Sequence, residues 1–146
     1  MNSMKSTTTT DDACNFVDSV WDHLGCRVRL PGDEASFLDP EKIPPMADDD
    51  RRVYRRMRFR RRAILLAGGR HHAIYTINIS VVGLAALHHE PLQVGQEVRV
   101  RFNSAARLDY EVRRCRALGP RCFEWAGRAL PDQPTAEVIR SLLRQG

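Results

Sequence analysis

The sequence predicts a mainly β fold, a six-stranded antiparallel barrel with an N-terminal helical extension and a C-terminal helix. Between about residues 57 and 130, short segments alternate apolar and polar side chains and are broken by Gly, Pro, Asn and Asp, the period-two signature of half-buried strands. Six such segments with one apolar face each leave exposed edges unless the sheet closes on itself. Apolar stripes at helical spacing stand at both ends of the chain.

Taken in order, Asp12 to Leu24 reads as a helix: Phe16, Val17, Val20, Trp21 and Leu24 share a stripe, Thr10 or Asp11 can cap its start and Gly25 can end it. Packing of that stripe on the barrel is the expectation, with a partner-binding or dimerising helix as the alternative. Cys26 to Leu30 reads as a short extended piece. Pro31 to Asp50 reads as a Pro-rich linker. Met57, Phe59, Ala63 and Leu65 share one strand parity up to a turn at Gly68-Gly69. A second strand runs from about His72 to Ile79 and a third from Val81 to Leu87. Val98, Val100 and Phe102 mark a fourth strand, Leu108, Tyr110 and Val112 a fifth, and Arg121 to Leu130 a sixth. Asp132 or Thr135 can cap a final helix that turns Val138, Ile139, Leu142 and Leu143 inward. The expected organisation is an acidic extension over 1–46 and a barrel domain with its C-terminal helix over 47–146.

Charge follows the same division. Residues 1–50 carry a balance of −7 and residues 51–146 a balance of +12, and every basic residue of the second part is arginine. Eight arginines lie between Arg51 and Arg62. Planar guanidinium forks suit recognition of an anion better than point charges do. The split also suggests that the acidic extension sits near the basic face and competes with an anionic ligand for arginines.

Two motifs carry most of the functional information. Arg51-Arg52-Val53-Tyr54-Arg55 contains an RxxxR, and Asn78-Ile79-Ser80-Val81-Val82-Gly83 is an NxSxxG that ends a β-branched run. In this order and spacing they resemble the signature of PilZ domains, β-barrels that bind the bacterial second messenger cyclic di-GMP. The resemblance implies that Arg51 and Arg55 serve guanine and phosphate, that Arg52 assists or replaces Arg51, and that Asn78, Ser80 and Gly83 form the second half of the site. The chemistry is consistent: an arginine fork matches the O6 and N7 acceptors of guanine, worth about 1–3 kcal/mol of base discrimination, and its plane can stack on a base. Asn78 and Ser80 share a parity, and Gly83 removes a Cβ where the backbone turns or a ligand approaches. Arg52/Arg56, Arg56/Arg60 and Arg58/Arg62 satisfy the same bare spacing; Arg51/Arg55 fits the family's RRxxR best, with Tyr54 as the aromatic before the last arginine. Trp125-Ala-Gly127-Arg-Ala129 departs from the family in lacking a Phe after the glycine.

Other chemistries find little support. Arg58, Arg60, Arg61 and Arg62 read as a solvated basic edge. Adjacent histidines on a strand point to opposite faces, so His71-His72 and His88-His89 are read as structural or surface groups, with no metal expected. Gly68-Gly69 lacks the GK[ST] of a phosphate loop, and no nucleophile–base motif appears, so no catalytic residue and no cofactor are expected. The four cysteines form no CxxC; a Cys115–Cys122 bridge is conceivable, but reduced thiols in a cytoplasmic protein are expected. No apolar run approaches the ~20 residues of a membrane span, and the Thr-rich start lacks a signal-peptide core. The expected function is therefore a receptor for cyclic di-GMP that passes the signal to an unidentified protein partner. Two alternatives stand beside it: a basic barrel binding RNA or single-stranded DNA through Tyr54, Phe59 and Tyr75, and a PilZ-like interaction module that has lost its ligand.

Overall fold

The structure is a computed structural model that describes residues 10–42 and 55–144, with side chains of the first helix from Phe16 onward. Three α-helices, α1 (Thr10–Leu24), α2 (Glu34–Leu38) and α3 (Thr135–Arg144), surround seven strands. These are β1 (Met57–Arg58), β2 (Arg62–Ala67), β3 (Arg70–Ile79), β4 (Gly83–His88), β5 (Glu97–Arg101), β6 (Arg107–Gly119) and β7 (Cys122–Ala129). The strands pair antiparallel in the order β1-β3-β2-β5-β6-β7-β4, and β4 pairs again with β3. That last pairing closes six strands into a ring, and the two-residue β1 lies on β3 beyond the end of β2. The expected six-stranded barrel is thus present, with β1 as a short arm leading into it.

Alternation along β3 explains why so much of this strand is buried. Ile74 points into the barrel core with Leu65, Val100, Leu108, Val112 and Trp125, while Ala73 and Tyr75 face a second cluster outside it with Trp21, Leu87 and Cys122. The extension supplies the cover for that outer cluster. Val17 and Trp21 of α1 are buried, and the Trp21 indole Nε1 donates to the carbonyl of Ile74 at 2.9 Å. Full burial of such a side chain contributes roughly 1.5–3 kcal/mol, which favours the packed helix over a free one. At the other end of the chain, Ile139 and Leu142 of α3 enter the barrel core and Val138 and Leu143 pack partly against it. Arg61 donates to the Leu142 carbonyl at 3.4 Å, placing a cation at the negative end of that helix.

Three segments differ from the sequence expectation. Within the expected linker, Asp33 caps α2 by accepting from Ser36 N at 3.0 Å, and a 3₁₀ turn follows at Pro40–Lys42. Phe37 anchors the segment edge-on to Tyr75, with ring centroids 5.3 Å apart. The expected first strand is split into β1 and β2 because the buried Thr76 hydroxyl takes the place of a ladder carbonyl. It accepts from Arg61 N at 3.0 Å and donates to the Phe59 carbonyl. The fifth expected strand runs on to Gly119, with register shifts between Val112 and Arg114 and between Ala117 and Gly119. Cys26, Cys115 and Cys122 are free thiols. The expected boundary near residue 46 lies outside the described residues.

Candidate functional site

The β3–β4 connection is a compact polar corner. The Ser80 hydroxyl accepts from the backbone N–H of Val82 and of Gly83, each at 3.2 Å, while Ser80 N donates to the Gly83 carbonyl at 2.9 Å. The Val82 carbonyl then accepts from Ala129 N at 2.8 Å, tying the corner to the end of β7. Ser80 is buried, so its first role is to hold the corner's shape. Its hydroxyl retains a proton to donate outward.

Gly83 sits here for a reason other than a turn. Its φ is not left-handed; a Cβ built on it would stand 2.8 Å from the Gly127 carbonyl oxygen. β4 and β7 approach so closely at Leu84↔Gly127 that only hydrogen fits between them. Gly127 is constrained in turn, since a Cβ there would meet the Trp125 ring at 2.9 Å. Arg128, which stands where the family's Phe would follow that glycine, is exposed.

The arginine arm meets this corner through β1. Met57 pairs with Ile79 and Arg58 with Asn78, so the residues just before Met57 are delivered to the same edge. Arg56, Asn78, Ser80, Val82 and Gly83 line one cavity of about 110 Å³, floored by Leu84, Ala85, Ala126 and Gly127. Val82 is 42% exposed and presents an apolar surface beside these polar groups. The structure therefore brings Asn78, Ser80 and Gly83 together. Arg55 is exposed and stands next to the cavity-lining Arg56, while Arg51 and Arg52 lie outside the described residues. Arg56 is the residue the preferred motif register passed over; the alternative Arg52/Arg56 spacing pointed to it.

Of the four arginines expected on a solvated edge, Arg58 is exposed, but Arg60, Arg61 and Arg62 are held against aromatic rings. Arg60 lies over the Phe37 ring at 4.5 Å and Arg61 over Phe59 at 4.4 Å. Arg62 lies over Trp21 at 4.4 Å and grips Glu34 through two hydrogen bonds of 2.6 and 3.0 Å. Asp18 joins the Arg62 guanidinium at 3.4 Å, Asp22 at 3.9 Å, and Tyr75 donates to Glu34 at 2.6 Å. Hydrogen bonds from Arg62, and then from Tyr75, hold the Glu34 carboxyl below its ordinary range against the opposing effect of burial. Among the described residues, acidic side chains of the extension thus gather on Arg62, at the start of β2. The partners of Arg60 and Arg62 come from α1 and α2, far away in sequence, while Arg61 folds back over the nearby Phe59 ring, and local alternation announces none of these contacts.

The histidines also depart from expectation. β4 ends at His88, which frees His89 from strand alternation, and His72, His88 and His89 gather with ring centroids 4.5–5.6 Å apart. Burial, reinforced by the neighbouring rings of His89 and His72, pushes His88 down to about 3. Burial is the largest cause for His72 and His89 as well, and both are lowered. Phe59 and Tyr75 are both buried, so neither offers the exposed stacking face that single-stranded nucleic acid uses.

A closed antiparallel barrel with Arg56 and the polar corner lining one cavity defines a small β-barrel domain. The chain belongs to the PilZ domain family, whose family model matches residues 50–144. Among solved structures, it is similar to the Bacillus subtilis inhibitor of motility MotI/DgrA, with 17% identity and a TM-score of 0.52 over 70% of this chain and 56% of that one. It thus spans little more than half the length of that relative. The PilZ domain of YcgR from Escherichia coli, solved with c-di-GMP, matches at 16% identity and a TM-score of 0.50, over 66% of this chain and 92% of that domain. At these identities the likeness is one of fold. A search of curated protein sequences finds no match. No helix among the described residues is long and apolar enough to cross a membrane.

Proposed function

We propose that this chain is a receptor for cyclic di-GMP that works by changing shape and partner, without catalysis. The observation that supports the reading is the pairing of Arg58 with Asn78, which sets the segment ahead of β1 against the Ser80 corner, where Arg56 joins Asn78, Ser80 and Gly83 around one cavity. In this reading Arg51, Arg52, Arg55 and Arg56 supply the forks for guanine edges and phosphates. Asn78 donates and accepts at the rim, the Ser80 hydroxyl donates outward from its two backbone contacts, and Val82 gives a base an apolar surface. The barrel provides the rigid wall, and the arm closes the site. Residues 1–46 form an extension that reports on the barrel through Glu34 and Arg62 rather than part of the ligand's own pocket.

Calorimetry with cyclic di-GMP, GTP and cyclic di-AMP tests this. Cyclic di-GMP binds, the other two do not, and the affinity falls only shallowly with salt because few phosphates are neutralised. Arg51→Ala, Arg55→Ala and Arg56→Ala each weaken binding at least tenfold. Wild-type affinity in all three would remove the site assignment. A steep salt slope with single-stranded RNA and no response to the cyclic dinucleotide would favour the nucleic-acid reading instead.

A further inference from the structure

We propose that His72, His88 and His89 form a binding site for a divalent transition-metal ion of the zinc class. One ring nitrogen from each lies within 4.8 Å of those of the other two. Three points so spaced lie at most about 2.8 Å from a common centre, and Zn–N bonds are about 2.0–2.1 Å. Each nitrogen therefore closes by less than about 1 Å, a displacement that side-chain rotation supplies without moving either strand.

A second observation points to a ligand rather than to simple packing. His88 is 1% exposed, and its Nδ1 is buried with no hydrogen-bond partner; the Nδ1 of His89 is buried and unpartnered too. An unsatisfied buried polar atom is costly, and here two of them stand on adjacent residues of one imidazole group. A neutral imidazole keeps a lone pair on one of its two ring nitrogens, and that is the form that ligates a metal. Glu90 stands beside the group as a negative charge, its Oε1 3.8 Å from His89 Nε2, and water can fill the fourth position of a three-histidine zinc site. Three imidazoles suit zinc, cobalt, nickel or copper better than magnesium or calcium. Arg27, Arg70 and Arg121 also act on this group and lower its affinity for a cation.

The site would join the start of β3 to the end of β4. Six strand positions separate His72 from Asn78, roughly 20 Å along β3, so the metal and the polar corner occupy opposite ends of the same hairpin. Its occupancy is independent of whether the corner binds a nucleotide.

The test uses the full chain without an affinity tag, reduced, titrated with Zn²⁺ against a chromophoric chelator and with Co²⁺ followed by its visible ligand-field bands. One ion per chain is expected, with bands of nitrogen–oxygen tetrahedral coordination and a Zn²⁺-dependent rise in melting temperature. His72→Gln and His89→Gln, at half-buried positions, weaken binding at least tenfold and remove the thermal shift while keeping the wild-type circular dichroism. Glu90→Gln weakens binding less. Failure of the wild-type chain to take up one equivalent overturns the proposal. So does a thiolate-to-cobalt charge-transfer band, which would place the ion on cysteine, or unchanged affinity in both histidine variants.

Discussion

Gly83→Ala tests the link between barrel closure and the polar corner. The added Cβ would stand 2.8 Å from the Gly127 carbonyl oxygen, a backbone atom with no rotamer to escape through. Ordinary carbon–oxygen contact needs about 3.4 Å, so β4 and β7 must separate locally by several tenths of an ångström; overpacking of this kind costs about 1–3 kcal/mol. Alanine also restricts the unfolded chain and returns roughly 0.4–1 kcal/mol. The net expectation is a loss of about 1–2 kcal/mol, or a melting temperature lower by about 3–8 °C for a chain of this size. Gly32→Ala is the control, since a Cβ there meets nothing within 4 Å. Urea unfolding followed by tryptophan fluorescence measures both. Because Ala129 N bonds to the Val82 carbonyl, the displacement also carries the corner with it, and cyclic di-GMP affinity should fall in parallel. Equal stabilities for Gly83→Ala and Gly32→Ala would refute the close-approach argument.

Three further outcomes are expected. Glu34→Gln removes the charge from a bidentate, half-buried pair and weakens the Tyr75 contact; a loss of about 1–2 kcal/mol is expected, between the values for exposed and buried pairs, whereas the more exposed Asp18→Asn costs less than about 0.5 kcal/mol. The Glu34 carboxyl is held below its ordinary range in the folded chain, so its contribution is complete above about pH 4.3 and is lost as pH falls through the folded value; the stability difference between wild type and Glu34→Gln, measured in urea from pH 7 to pH 3, should shrink towards the acid end. Ser80→Ala leaves the N–H groups of Val82 and Gly83 without their acceptor and should cost about 1 kcal/mol, with a smaller loss of ligand affinity than Arg56→Ala, read by calorimetry.

Much of the barrel was legible because its strands obey a local rule. Phe59, Ala63 and Leu65 keep their shared parity across the break at residues 59–61, and all are buried. The two-faced burial of β3 was not legible, because Tyr75 is covered by Trp21 and Phe37 from an extension more than thirty residues upstream. For the same reason Arg60 and Arg62 read as a solvated edge although they lie over Phe37 and Trp21 of that extension; Arg61 lies instead over the nearby Phe59. The polar corner could be read from Asn78, Ser80 and Gly83 as residue types, but the reason for Gly83 could not. It depends on a carbonyl of β7, which no spacing within the motif announces. The histidine group was missed because strand alternation was extended one residue past the end of β4.

The convergence of arm and corner is tested most directly by amide hydrogen exchange of the full chain with and without saturating cyclic di-GMP. Protection should rise over residues 51–58 and 78–83 together, with the β2–β3 turn at the far end of β3 unchanged. Protection of only one of these two segments, or of a surface elsewhere on the barrel, would contradict a shared site.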